Sequence, residues 1–118
     1  MTHFEKFING IKETPDELFG FVFKVERGII TEEFRSMMKI EGFTDEEIDY
    51  RYVEVPGRVM KLNADEENIT EEDILNLIFH WGQNDFQPKK SPSLSVGDII
   101  NFLGKKYRVE PIGFKEIK

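Results

Sequence analysis

Apolar and polar residues recur with two different periods along this chain, and each change of period marks a new element. Phe4, Phe7, Ile8 and Ile11 recur at three- and four-residue spacing, which predicts an amphipathic helix over 2–12. Thr14-Pro15-Asp16-Glu17 reads as an N-cap, a proline at the first helical position and first-turn acids, so one further helical turn is expected. The period then drops to two, and Phe21–Arg27 is predicted as a strand closed by Gly28. Thr31-Glu32-Glu33 opens a second helix carrying Phe34, Met37, Met38 and Ile40 and stopped at Gly42. Thr44-Asp45-Glu46-Glu47 is a capping box, but its helix is short because Tyr50–Val55 returns to period two. Pro56-Gly57 reads as a turn and Arg58–Leu62 as a returning strand, which predicts a hairpin. After an acidic loop over 63–68, Thr70-Glu71-Glu72-Asp73 caps the clearest helix. Ile74, Leu75, Leu77, Ile78 and Trp81 face inward, and Gly82 serves as a left-handed stop.

The last third is written in turns and alternation. Ile100 and Phe102 fall on one face of an extended chain, with Ile99, Asn101 and Leu103 on the other. Gly104 supplies a residue that reaches positive φ, and Tyr107 and Val109 then share a face opposite Arg108 and Glu110. Pro111 cannot donate to a ladder and ends that strand, and Gly113 turns the chain toward a short segment, Phe114–Ile117. The expected fold is α+β: short helices packed on a small, mainly antiparallel sheet with a C-terminal β-hairpin.

Composition changes this picture little. A chain of 118 residues, 39% hydrophobic and with 11 Phe, is long enough to bury one core, so a single domain over 1–118 is expected. No run approaches the roughly 18 apolar residues of a membrane span, and the first residues lack the layout of a signal peptide. Cysteine is absent, which excludes disulfides, thiolate catalysis and cysteine zinc sites. Charge adds more. The chain carries −7, but residues 1–80 sum to −10 and residues 81–118 to +3. Much of the negative charge sits at helix starts, where acids suit the dipole. The alternative is an acidic binding face.

Candidate chemistry is sparse. His3 and His80 have no metal-ligand spacing, and His80 at a helix end suits an interaction with the last carbonyls. Serines 91, 93 and 95 lack a nucleophile elbow, every carboxylate pair doubles as a helix start, and no phosphate-cradling glycine loop occurs. The sequence therefore predicts no enzyme, no cofactor and no metal. Two stretches remain. Gln83-Asn84-Asp85-Phe86-Gln87 reads either as an Asx turn after a helix stop or as a recognition loop whose amides offer donors and acceptors. Lys105, Lys106 and Arg108 are either solvated hairpin charge or a basic site for nucleic acid; Tyr107 between them belongs to the core by its alternation.

The order Gly82-Gln83-Asn84-Asp85-Phe86-Gln87-Pro88, Ser93-Leu94-Ser95-Val96-Gly97-Asp98-Ile99-Ile100, Tyr107-Arg108-Val109, Gly113-Phe114 resembles a C-terminal cassette. It is similar to that of small uncharacterised proteins of bacteriophages, plasmids and other mobile elements. The resemblance implies a bacterial cytoplasmic setting and carries no catalytic residue. Small acidic proteins of such elements are often stoichiometric binders, so a protein-interaction module directed at a host protein is expected, as an anti-defence or regulatory inhibitor. Its contacts would come from the 83–90 loop and an acidic helix face. The alternative is a nucleic-acid-associated module using the basic hairpin.

Overall fold

The computed structural model describes residues 1–15, 20–83 and 93–118. Among these residues five helices, α1 (His3–Glu13), α2 (Glu32–Ile40), α3 (Asp45–Asp49), α4 (Gly57–Ala64) and α5 (Glu71–Trp81), accompany five strands. The strands are β1 (Phe21–Glu26), β2 (Tyr50–Val55), β3 (Ile99–Phe102), β4 (Lys105–Val109) and β5 (Phe114–Ile117). They form one sheet in the order β2-β1-β3-β4-β5, with every neighbouring pair antiparallel. The chain is thus α+β, as its periodicity predicts.

Strand alternation decides which side is buried. Phe23, Val25, Val53, Val55, Ile100, Phe102, Tyr107 and Val109 all point to one face, where they meet Ile8 and Ile11 of α1, Met60 and Ala64 of α4, and Ile74, Leu75 and Ile78 of α5. Three helices therefore cover one side of the sheet. Phe102 sits centrally, with Phe4, Phe7 and Phe23 edge-on to it at 5.1–6.4 Å between ring centroids, an arrangement worth about 0.5–1.5 kcal/mol per pair beyond area burial. Met38 of α2 and Ile48 of α3 are buried outside this cluster, so α2 and α3 form an outlying unit at the β1–β2 connection.

Thr2, Thr31, Thr44 and Thr70 each accept the N–H of the residue three positions on, and all but Thr31 complete a capping box. Three local expectations are corrected. Residues 57–64 are helical, so the hairpin predicted at Pro56-Gly57 does not form. Burial at Gly57, Met60 and Ala64 follows helical spacing, and Leu62, which a strand would turn inward with Met60, is exposed. The Pro56 carbonyl accepts the first helical bond, from the Met60 N–H at 3.0 Å. The acidic loop accordingly begins only after Ala64. Thr14 is the C-cap of α1, its hydroxyl donating to the Gly10 carbonyl at 2.7 Å; the helical turn expected after it falls on residues 16–19, outside the described residues. Gly82 ends α5 with φ −74°, not left-handed. A Cβ there would crowd the Leu94 side chain, so close packing explains this glycine. The β3–β4 connection instead uses two positive-φ residues, Leu103 (53°) and Gly104 (75°), as a two-residue hairpin loop requires.

Candidate functional site

Gln83 follows Gly82, the C-cap of α5, and is half-buried. Its side-chain amide donates to the Phe79 carbonyl at 3.0 Å and, at a longer 3.4 Å, to that of Leu94. The amide ties the helix end to the segment entering β3. Asn84, Asp85, Phe86 and Gln87 lie outside the described residues.

The three residues of the basic hairpin are split by the pleat. Lys105 pairs with Phe102 and so lies on the helix side, 3.9 Å from Glu116, lining an open groove with Thr2, His3, Phe4, Glu71 and Leu103. Lys106 and Arg108 project from the opposite face, which carries none of the core-forming helices α1, α4 and α5 among the described residues. Registers across the five strands set two rows there. One row runs Tyr50–Glu26–Ile99–Arg108–Lys115, and the next runs Tyr52–Lys24–Asn101–Lys106–Ile117. Lys24 Nζ lies 4.0 Å from the Tyr50 ring centroid, a cation–π contact. Glu26 binds Lys106 at 3.1 Å and accepts from Asn101 at 3.2 Å, while Arg108 pairs with Glu110 at 3.0 Å. Tyr52 is 53% exposed at the sheet edge. The sequence reading passed over Lys24, Tyr50, Tyr52 and Lys115. Their signal was the outward half of the alternation, set aside while the inward half was used to find the core.

A second surface is the outer side of α2 and α3. Residues 31–49 hold seven acids against Arg35 and Lys39. Arg35 donates to Asp49 at 2.6 Å and to Asp45 at 3.1 Å, and Lys39 reaches Asp45 at 3.0 Å, which clamps the two helices together. Each such exposed bridge is worth little alone, about 0–1 kcal/mol. Glu32, Glu33, Glu41 and Glu46 remain on the surface. Among them Met37 is 54% and Ile40 86% exposed, three residues apart on one helix. The predicted helix exists, but its apolar residues do not all turn inward.

Where β1 leaves the sheet, a third cluster is structural. Asp98 is buried and accepts the Gly28 N–H at 3.1 Å and the Ser95 N–H at 3.0 Å. Its charge also acts on Arg27 and Arg51. Burial, then the charge of Arg27, pushes the Arg51 guanidinium down to about 10, against the opposing pull of Asp98. A Cβ on Gly28 would overlap the Gly97 carbonyl, which fixes how closely the two loops approach.

Among the described residues no group of three or more His, Cys, Asp or Glu side chains is placed to hold a metal ion. No helix there is long and apolar enough to cross a membrane. Comparison of the chain with family models, curated proteins and solved structures finds no match.

Proposed function

We propose that this protein acts by binding rather than by catalysis, capturing a protein partner stoichiometrically through the outer face of α2 and α3. The observation that carries this reading is the exposure of Ile40 and Met37 within the acidic 31–49 segment, where seven acids face only Arg35 and Lys39. Covering either side chain would contribute up to about 1.5–3 kcal/mol, and the surrounding glutamates favour a partner whose apolar pocket is ringed by Lys or Arg. Resemblance of residues 82–114 to mobile-element cassettes supports a bacterial cytoplasmic protein as the partner, and inhibition of a host defence or regulatory protein as the use of the complex. The 83–87 loop is a second contact in this reading.

The test is a tagged pull-down from nuclease-treated bacterial lysate with the natural chain and the Met37→Asp/Ile40→Asp variant. We expect one protein in near-stoichiometric amount with the natural chain and at least about a tenfold loss with the variant, which is about 1.4 kcal/mol. Circular dichroism should be unchanged. Equal capture by both would refute the α2–α3 face. Asn84→Ala/Asp85→Ala examines the loop separately: capture lost with folding intact assigns it to recognition, whereas lost folding assigns it to the turn.

A further inference from the structure

The face of the sheet turned away from α1, α4 and α5 is distinct from the α2–α3 surface, and its role does not depend on the reading above. One solvated face is ordinary for an antiparallel sheet. Its composition is what calls for explanation. On that face the four cations Lys24, Lys106, Arg108 and Lys115 meet the three carboxylates Glu26, Glu54 and Glu110, a local excess of one positive charge on a chain of −7. Two tyrosines stand at one end of the rows, on edge strand β2, and the cations spread from β1 to β5. We infer that this face is a platform for single-stranded nucleic acid, with bases stacking on Tyr52 and Tyr50 and the backbone crossing toward Lys24, Lys106, Arg108 and Lys115.

Three features favour that occupant. Aromatic rings on an open sheet meet unstacked bases face-on, and stacking tolerates any base. The cations are held by contacts that phosphates can replace: Lys24 by a tyrosine ring, Lys106 and Arg108 by partly exposed carboxylates. Asp49, the α3 acid that adjoins Tyr50, is paired with Arg35 at 2.6 Å, which offsets its charge at the tyrosine end of the face. The Asn101 amide is committed to the Lys24 carbonyl and to Glu26, both at 3.2 Å, so little base-specific hydrogen bonding is available. The platform is therefore sequence-tolerant. A second copy of the same face would bring like charges together. Duplex would present phosphates without the exposed base faces that the tyrosines need.

The experiment is fluorescence anisotropy with labelled oligo-dT and oligo-rU of about 15 nucleotides, a length within one sheet-type site, and a duplex of equal length. We expect saturable micromolar binding of the single strands at about 50 mM salt. Log affinity should fall against log salt with a slope of about −2 to −3, as three or four neutralised phosphates require. Tyr52→Ala should weaken binding about tenfold and Tyr52→Phe less than about twofold, since the ring stacks and the hydroxyl does not. Lys24→Glu/Lys106→Glu should abolish binding, and Glu26→Gln should tighten it. Lys12→Glu, an exposed position on α1, should leave it unchanged. Circular dichroism and melting confirm that each variant is folded. The proposal is overturned by no binding at about 50 mM salt, by equal losses at Lys12 and Lys106, by indifference to Tyr52, or by duplex binding as tightly as single strand. It is equally overturned if the sheet variants abolish capture of a protein while no oligonucleotide binds.

Discussion

Asp98 accepts two backbone N–H groups from separate loops and supplies negative charge beside Arg27 and Arg51, so its loss removes several supports at once. Asp98→Asn should cost about 3 kcal/mol, the scale for breaking a buried charge pair, seen as a fall of roughly 1–2 M in the urea midpoint. An unchanged midpoint would mean that the arginines are satisfied without it. Tyr107 gives a pH signature. Burial, together with the Glu71 carboxylate that accepts its O–H at 3.0 Å, pushes the phenol from 10.0 up to about 12. The unfolded chain therefore ionises first. The contribution of this group is full below about pH 10 and is lost as pH rises toward 12. Tyr107→Phe should flatten that alkaline decline in urea midpoints measured across the window. Burial of Tyr107 was legible from its place in the alternation. The pairing of Asp98 with Gly28 was not, because the two are 70 positions apart and nothing local links them.

The helices differ in how much of the fold they hold. Thr70 caps α5, whose Ile74, Leu75 and Ile78 lie in the main core, whereas α2 buries only Met38. Thr70→Ala should cost about 1 kcal/mol and lower the global urea midpoint. Thr31→Ala should leave that midpoint nearly unchanged while speeding amide exchange over residues 32–40, because α2 can open locally. Equal effects on the midpoint would show that α2 is integral to the cooperative unit. Caps of this kind were readable because the signal spans only four residues, as Thr44–Glu47 and Thr70–Asp73 illustrate. Residues 58–62 were misread because five residues with adjacent Val59 and Met60 fit either period. What decides for helix is burial against its neighbours, which the sequence does not display.

At the scale of the molecule, mainly antiparallel strands with short helices packed on them followed from alternation, but strand order did not. Nothing in the sequence places β3 beside β1. Their union rests on Val25 opposite Ile100 and Glu26 opposite Ile99, and it joins the β1–β2 pair to the β3-β4-β5 meander. A chain cut after residue 83 should therefore show no cooperative urea transition, since it loses Ile100, Phe102, Tyr107 and Val109 from the core. A sharp transition there would establish the first two strands and their helices as an autonomous unit. The same closure governs how the protein is made. A ribosome adding about 5–20 residues per second takes roughly 4–15 s to travel from Val25 to Ile100. Throughout that interval Phe23, Val25 and Val53 lack the strand that completes their cover. In that window the nascent chain exposes these apolar side chains, and a codon-dependent pause between residues 60 and 98 would lengthen its exposure to aggregation.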